Sequence, residues 1–221
     1  MARQLQGAAG LVKVGSQLFT AEGPRVMKVL AGLGFGVFLD LKFHDIPNTV
    51  GAAVAQAGEL GVSMLTVHAS GGGRMLRTAA EAAAQSPSKP TVLAVTVLTS
   101  LSDDDLSEIG VAGNVMTQVL RLASLARNAG CGGVVASARE ARELRRELGQ
   151  EFTIVTPGVR PAGAAFGDQA RVVTPAEALA AGATYLVVGR PILEANNPSA
   201  AAKNILREIE TGLLVANSKV S

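Results

Sequence analysis

The 221-residue chain has no tryptophan, one tyrosine and an aromatic content of only 3%. That leaves few flat platforms on which bases could stack. Lysine and arginine are dispersed rather than gathered in a stripe, so the net charge of +2 supplies no phosphate-backbone footprint either. Nucleic acid is therefore not an expected partner. Cys131 is the single cysteine, so no internal disulfide can form, and a reducing cytoplasm is the expected compartment. It stands in AGCGGVV beside an apolar strand, where a small buried thiol is expected rather than a nucleophile. No run of about 18 apolar residues occurs, and the opening MARQLQGAAGLVKVG lacks the apolar stretch of a signal peptide. A membrane is not an expected partner.

What is present is the composition of a folded globular chain: 48% hydrophobic and 17% charged residues with no long polar tract. Short β-branched runs recur at GLVKVG, GVFLDLK, VSMLTVHAS, TVLAVTVLTS, GGVVASA, FTIVTPGV and ATYLVVGRP. Between them lie Ala/Leu-rich segments with helical spacing at Thr49–Leu60, Arg74–Ala84, Val115–Ala129, Arg139–Leu148 and Ala200–Leu214. Such alternation calls for parallel βαβ units with right-handed crossovers. LGFGVF, LGVSML, AGCGGVV and AGATYL repeat one device, a glycine that closes a helix just before the next strand.

Seven strands suit a doubly wound sheet or a (β/α)8 TIM barrel one strand short. A Rossmann sheet would show a glycine fingerprint after its first strand, and none is present. TPGVRP and VVGRPI instead end the last two strands in Gly-rich turns, where many barrels bind phosphate. The expected architecture is thus a single α/β barrel domain over residues 1–221, lacking its first strand. That strand should precede the segment ending at Gly10, where the sequence reads as the tail of a helix. A start drawn at an internal Met is the expected reason, since an open barrel would leave strand edges exposed at LVKVG and YLVVG.

The most informative stretch is FLDLKFHDIPNT, Phe38–Thr49. Alternation puts Phe38, Asp40 and Lys42 on one face and Val37, Leu39 and Leu41 on the other. The apolar face must meet helices, so Asp40 and Lys42 point into the barrel at the carboxyl end of their strand, where barrel active sites lie. Lys13, between Val12 and Val14, points inward by the same logic. A self-balancing buried ion pair is the bland alternative, and such pairs stabilise weakly. Three inward charges with Asp45 just beyond exceed what balance requires. DIPNT also opens a helix, with Pro47 near its first turn and Asp45 or Asn48 as the expected cap. His44 and His68 are expected to anchor loops, because two histidines without further ligands make a poor metal site. Gly158 and Gly189 let backbone N–H groups approach an anion, with Arg160 and Arg190 as guanidinium forks. Between these turns, RPAGAAFGDQARVV has the small-residue, aperiodic composition of a lid, from which Gln169 reaches the ligand.

The D-x-K-x-x-D of FLDLKFHDIPNT, followed by HDIPNT, resembles the signature of the orotidine 5′-phosphate decarboxylase family. LVKVG, VHASGG, AVTVLTS, VTPGVRP, GDQ and VVGRP occur in the family's order. The resemblance implies cofactor-independent decarboxylation of orotidine 5′-phosphate to UMP, the last step of pyrimidine synthesis, by a homodimer. It implies that Lys42 protonates C6 and Asp40 sits by the substrate carboxylate. Lys13 would hold the ribose, while Asp45, Ile46 and Thr49 enter the neighbouring subunit's site. Thr99, Arg160, Gln169, Gly189 and Arg190 match substrate-binding positions, the last three around the phosphate. One family residue, the ribose-contacting Asp that ends the first strand, has no counterpart. Two other readings share these features: a Mg2+-dependent sugar-phosphate decarboxylase or aldolase on the same barrel, and a catalytically silent nucleotide-binding protein.

Overall fold

The structure, a computed structural model, describes residues 1–161 and 173–218, the side chains of 213–218 excepted. Strands and helices alternate as β1 Leu11–Gly15, α1 Ser16–Glu22, α2 Arg25–Gly32, β2 Gly36–Phe43, α3 Pro47–Glu59, β3 Met64–His68, α4 Gly72–Gln85 and β4 Thr91–Val95. There follow α5 Asp103–Glu108, α6 Val115–Asn128, β5 Gly133–Val135, α7 Ala138–Leu148, β6 Thr153–Thr156, α8 Pro175–Ala180, β7 Tyr185–Leu186, α9 Arg190–Leu193 and α10 Pro198–Ser218. The opening segment expected to be a helix tail is a short 3-10 turn, Ala2–Leu5.

All seven expected strands form, and they pair in sequence order, each parallel to the next. Among the described residues β1 and β7 do not pair with each other. Both nevertheless line one cavity of about 490 Å³, together with Phe38, Met64 and Val155 from the strands between. The sheet therefore curls as a barrel does, with an open seam between its first and last strands.

Period-two alternation sorts the side chains as the sequence requires. Val37 and Leu39 join the large core between sheet and helices, with Val14, Leu65, Val67, Val92, Val134 and Ile154. Phe38, Met64, Leu93 and Val155 meet on the inner face. With both faces covered, β3 and β4 are buried almost throughout, the usual state of strands in a parallel sheet. Turn chemistry sets the helix ends. Ser137 and Glu140 form a reciprocal capping box on α7, as do Thr174 and Glu177 on α8. Gly34, Gly61, Gly130 and Gly182 take positive φ at the four expected helix-to-strand turns, a region without steric cost only for glycine.

β2 departs from a regular ladder near its end. Leu39 pairs with Leu65 and Phe43 with Val67, so four residues of β2 advance against two of β3. A bulge of this kind re-aims side chains. It holds Lys42 at φ +53°, a left-handed conformation that costs a non-glycine residue about 1–3 kcal/mol.

Candidate active site

The charges expected to converge do so at the carboxyl ends of β1 and β2. Register places Gly15 beside Asp40 and Lys13 beside Phe38, so Lys13 reaches up toward the strand end. Its Nζ lies 3.3 Å from Asp40 Oδ2, while Lys42 Nζ donates to Asp40 Oδ1 at 2.8 Å. The Asp40 side chain is 14% exposed and the two lysine side chains about one third, so the carboxylate is enclosed and the ammonium groups face the mouth. Burial alone would raise the Asp40 pKa. The hydrogen bond from Lys42, the charges of Lys42 and Lys13 and a bond from Thr66 outweigh it, and hold the carboxyl below its ordinary range. Two ammonium groups against one carboxylate leave one net positive charge here, suited to an anionic ligand.

Thr66 is a site residue that strand patterning did not single out. Its hydroxyl accepts from the Lys42 N–H at 2.9 Å and donates to Asp40 Oδ1 at 3.0 Å. The signal present in the sequence was a lone hydroxyl in MLTVH, on the inward parity shared with Met64 and His68.

Asp45 differs from its neighbours. Within one chain its carboxylate accepts from the Ile46 N–H at 2.6 Å rather than from Lys42, and the side chain is exposed. It does not cap α3 as expected, and neither does Asn48. Ile46 occupies the N-cap position without a side-chain bond, Pro47 takes the first helical position and Asn48 lies inside the helix. The fixed φ of Pro47 starts the helix where its missing N–H is not needed. Ile46 is 66% exposed and Thr49 is also exposed, so Asp45, Ile46 and Thr49 form one outward-facing edge beside the mouth.

His44 and His68 stack at the same rim, ring centroids 5.4 Å apart and tilted by 40°. Burial first, then the charges of His44 and Lys42, pushes the His68 pKa down, with Asp40 opposing. Thr99 sits exposed in the turn after β4. At the far side of the sheet, Gly158 and Arg160 after β6 and Gly189 and Arg190 after β7 wall a second cavity of about 160 Å³, with Pro157, Val159, Val187 and Pro191. Gly158 has φ +76°, so its turn requires a glycine, and Arg160 is anchored by its N–H to the Val173 carbonyl at 3.1 Å. Gln169 and most of the expected lid lie outside the described residues. Cys131 is buried, its thiol pKa pushed up to about 12 by desolvation, the inert state expected of it.

A curled parallel sheet with charged side chains at its carboxyl edge, and an arginine-walled cavity after its last two strands, defines a protein of the βα-barrel class. The chain belongs to the orotidine 5′-phosphate decarboxylase / HUMPS family, whose family model matches residues 1–205. Among its relatives, the orotidine 5′-phosphate decarboxylase of Idiomarina loihiensis is 54% identical over 203 residues, covering 92% of this chain and 87% of the relative. That of Nitrosococcus oceani is 54% identical over 209 residues, covering 95% and 90%. The crystal structure of the Lactobacillus acidophilus orotidine 5′-phosphate decarboxylase superposes with a TM-score of 0.80 at 42% identity, covering 90% of this chain and 86% of that one.

Proposed function

We propose that the chain decarboxylates orotidine 5′-phosphate to UMP, with Lys42 as the proton donor to C6. The observation that carries the reading is Asp40 bridging Lys13 and Lys42 at the strand ends, in a chain whose relatives at 54% identity bear this enzyme's name. When the bond from C6 to the carboxylate breaks, CO2 departs and the electron pair stays on C6, in an orbital the ring cannot delocalise. The barrier falls only if positive charge is already in place where that pair develops. The Lys42 ammonium supplies it and then its proton, and solvent restores the ammonium afterwards. Asp40 holds the ammonium through the 2.8 Å bond and stands beside the substrate carboxylate. Lys13 orders Asp40 from its other oxygen and takes the ribose.

The phosphate belongs in the cavity walled by Gly158, Arg160, Gly189 and Arg190, where backbone N–H groups and guanidinium forks match its oxygens. By the family resemblance Gln169 joins them at the phosphate, and Thr99 contacts the substrate from the turn after β4. Binding energy from the phosphate, remote from C6, is then available to hold the reacting centre in its strained geometry. Asp45, Ile46 and Thr49 complete the site of a second subunit in a homodimer, a role supported by their exposure along one edge of the mouth. A cytoplasmic location is part of this reading, supported by a single buried thiol that calls for no oxidising compartment. Addition of orotidine 5′-phosphate to chelator-treated protein should give UMP and CO2 in equal amounts, followed by loss of substrate absorbance. Turnover abolished by chelation would instead favour a metal-dependent sugar-phosphate enzyme of the same fold.

A further inference from the structure

Lys42 combines two features that rarely coincide: it carries the charge at the centre of the site, and its backbone is left-handed at φ +53°. A non-glycine residue stays in that region only where its surroundings over-determine it. The β2 bulge has already taken Lys42 out of regular pairing, between the Leu39–Leu65 and Phe43–Val67 partners. Its N–H is therefore not held by an ordinary strand ladder. It is held by a side chain, the Thr66 hydroxyl at 2.9 Å, and Thr66 is fully buried. The same hydroxyl spends its one proton on Asp40 Oδ1 at 3.0 Å, the oxygen that receives the Lys42 ammonium. A hydroxyl has one donor and two acceptor positions, so both bonds can form at once. The result is a closed ring in which the Lys42 amide, the Thr66 hydroxyl, the Asp40 carboxylate and the Lys42 ammonium fix one another.

We propose that Thr66 is a positioning residue for the decarboxylation. Its hydroxyl holds the left-handed backbone that aims the Lys42 ammonium into the mouth, and fixes the carboxylate oxygen against which that ammonium rests. The proposal rests on the decarboxylase reading for its kinetic consequence, but not for the contact itself. Were Thr66 only filling space, Thr66→Val would be harmless, because valine keeps the shape and adds apolar surface. If the hydroxyl positions Lys42, valine leaves the part-buried Lys42 N–H without its partner and removes one of the two hydrogen bonds to Asp40 Oδ1.

The test compares the wild-type chain with Thr66→Val and Thr66→Ser, with Thr66→Ala replacing valine if that variant does not fold. Misplacement of a reacting group by about 1 Å can cost roughly 10²-fold in rate. We expect kcat for orotidine 5′-phosphate to fall about 10²-fold in Thr66→Val, with KM within about threefold because the phosphate contacts are untouched. Thr66→Ser should recover kcat to within about tenfold of wild type, since the hydroxyl is retained. Independently of activity, the Lys42 amide should be protected from hydrogen exchange in wild type and Thr66→Ser, and exchange at least about tenfold faster in Thr66→Val. A valine variant with kcat within about threefold of wild type, or with an equally protected Lys42 amide, would overturn the proposal, as would a serine variant no better than valine. If the expected exchange pattern appears in a wild-type chain that does not turn over the substrate, the positioning contact stands and the decarboxylase reading falls.

Discussion

A lysine at φ +53° gives a stability test that does not depend on chemistry. At most strand positions glycine is worse than alanine by roughly 0.5–1 kcal/mol. Here alanine inherits the left-handed strain and glycine does not, so we expect Lys42→Gly to be more stable than Lys42→Ala by about 1 kcal/mol in urea denaturation. The ordinary order would mean that the strained backbone is absent. His68 gives a second residue-level test. Its pKa lies below the ordinary 6.5, chiefly through burial. The folded state therefore holds this proton less tightly than the unfolded chain. The contribution to stability is complete above pH 6.5 and is lost as pH falls from there through the lowered folded value. Replacing His68 by Gln should flatten the fall in denaturation midpoint on the acid side of pH 6.5, and an unchanged slope would contradict the burial argument. Asp40 behaves with the same sign in a more acidic window. Its pKa is lowered below 3.8, so its ion pairs persist through the neutral range and fail only as pH falls through that lowered value.

At the scale of elements, the sheet was legible because strand patterning and glycine punctuation agree. Each of the seven apolar runs became a strand, and the glycines expected to close helices took positive φ. The long amphipathic helices were legible for the same reason. The short ones, α1, α2, α5, α8 and α9, were not, because 4 to 8 residues hold too few turns for a periodic signal. Two of them did carry readable caps, Ser102 with Asp105 and Thr174 with Glu177. The bulge in β2 had no local signature, since tertiary pairing decides it, and with it went any view of Thr66. Arg145 was also invisible to patterning. From α7 its guanidinium donates to the carbonyls of Gly149, Gln150, Phe152 and Gly182 and to the Thr184 hydroxyl, tying the starts of β6 and β7 to the helix layer. Lysine cannot span this fork. We expect Arg145→Lys to cost about 2 kcal/mol in chemical denaturation while leaving the Asp40 ion pairs with Lys13 and Lys42 in place, because Arg145 acts where β6 and β7 begin and those pairs form toward the carboxyl ends of β1 and β2. A loss within experimental error would show the five acceptors to be satisfied by water instead.

At the scale of the whole molecule, the two ends of the chain meet across a curled sheet: β1 and β2 bring the ammonium groups, β6 and β7 the arginine-walled turns. The choice of a barrel over a doubly wound sheet, made from the Gly-rich turns that end the last two strands, implied this, and the curl of the sheet brings the first and last strands to one groove. What one chain does not close is the edge bearing Asp45, which turns away from its own Lys42. If that edge serves a second subunit, co-expressed Lys42→Ala and Asp45→Ala chains, each inactive alone, should regain about one quarter of wild-type activity, because half the pairs are mixed and one site in each mixed pair carries neither change. No recovery would place Asp45 outside the partner's site. The most direct measurement is the turnover of orotidine 5′-phosphate by wild type and by Lys42→Ala under identical conditions, with UMP binding measured alongside. Loss of an essential proton donor should lower kcat by at least about 10³-fold, several multiples of the 1.36 kcal/mol that each tenfold represents, while UMP affinity stays within about tenfold. An alanine variant that turns over within tenfold of wild type would contradict the assignment of Lys42 as the group that meets the carbanion.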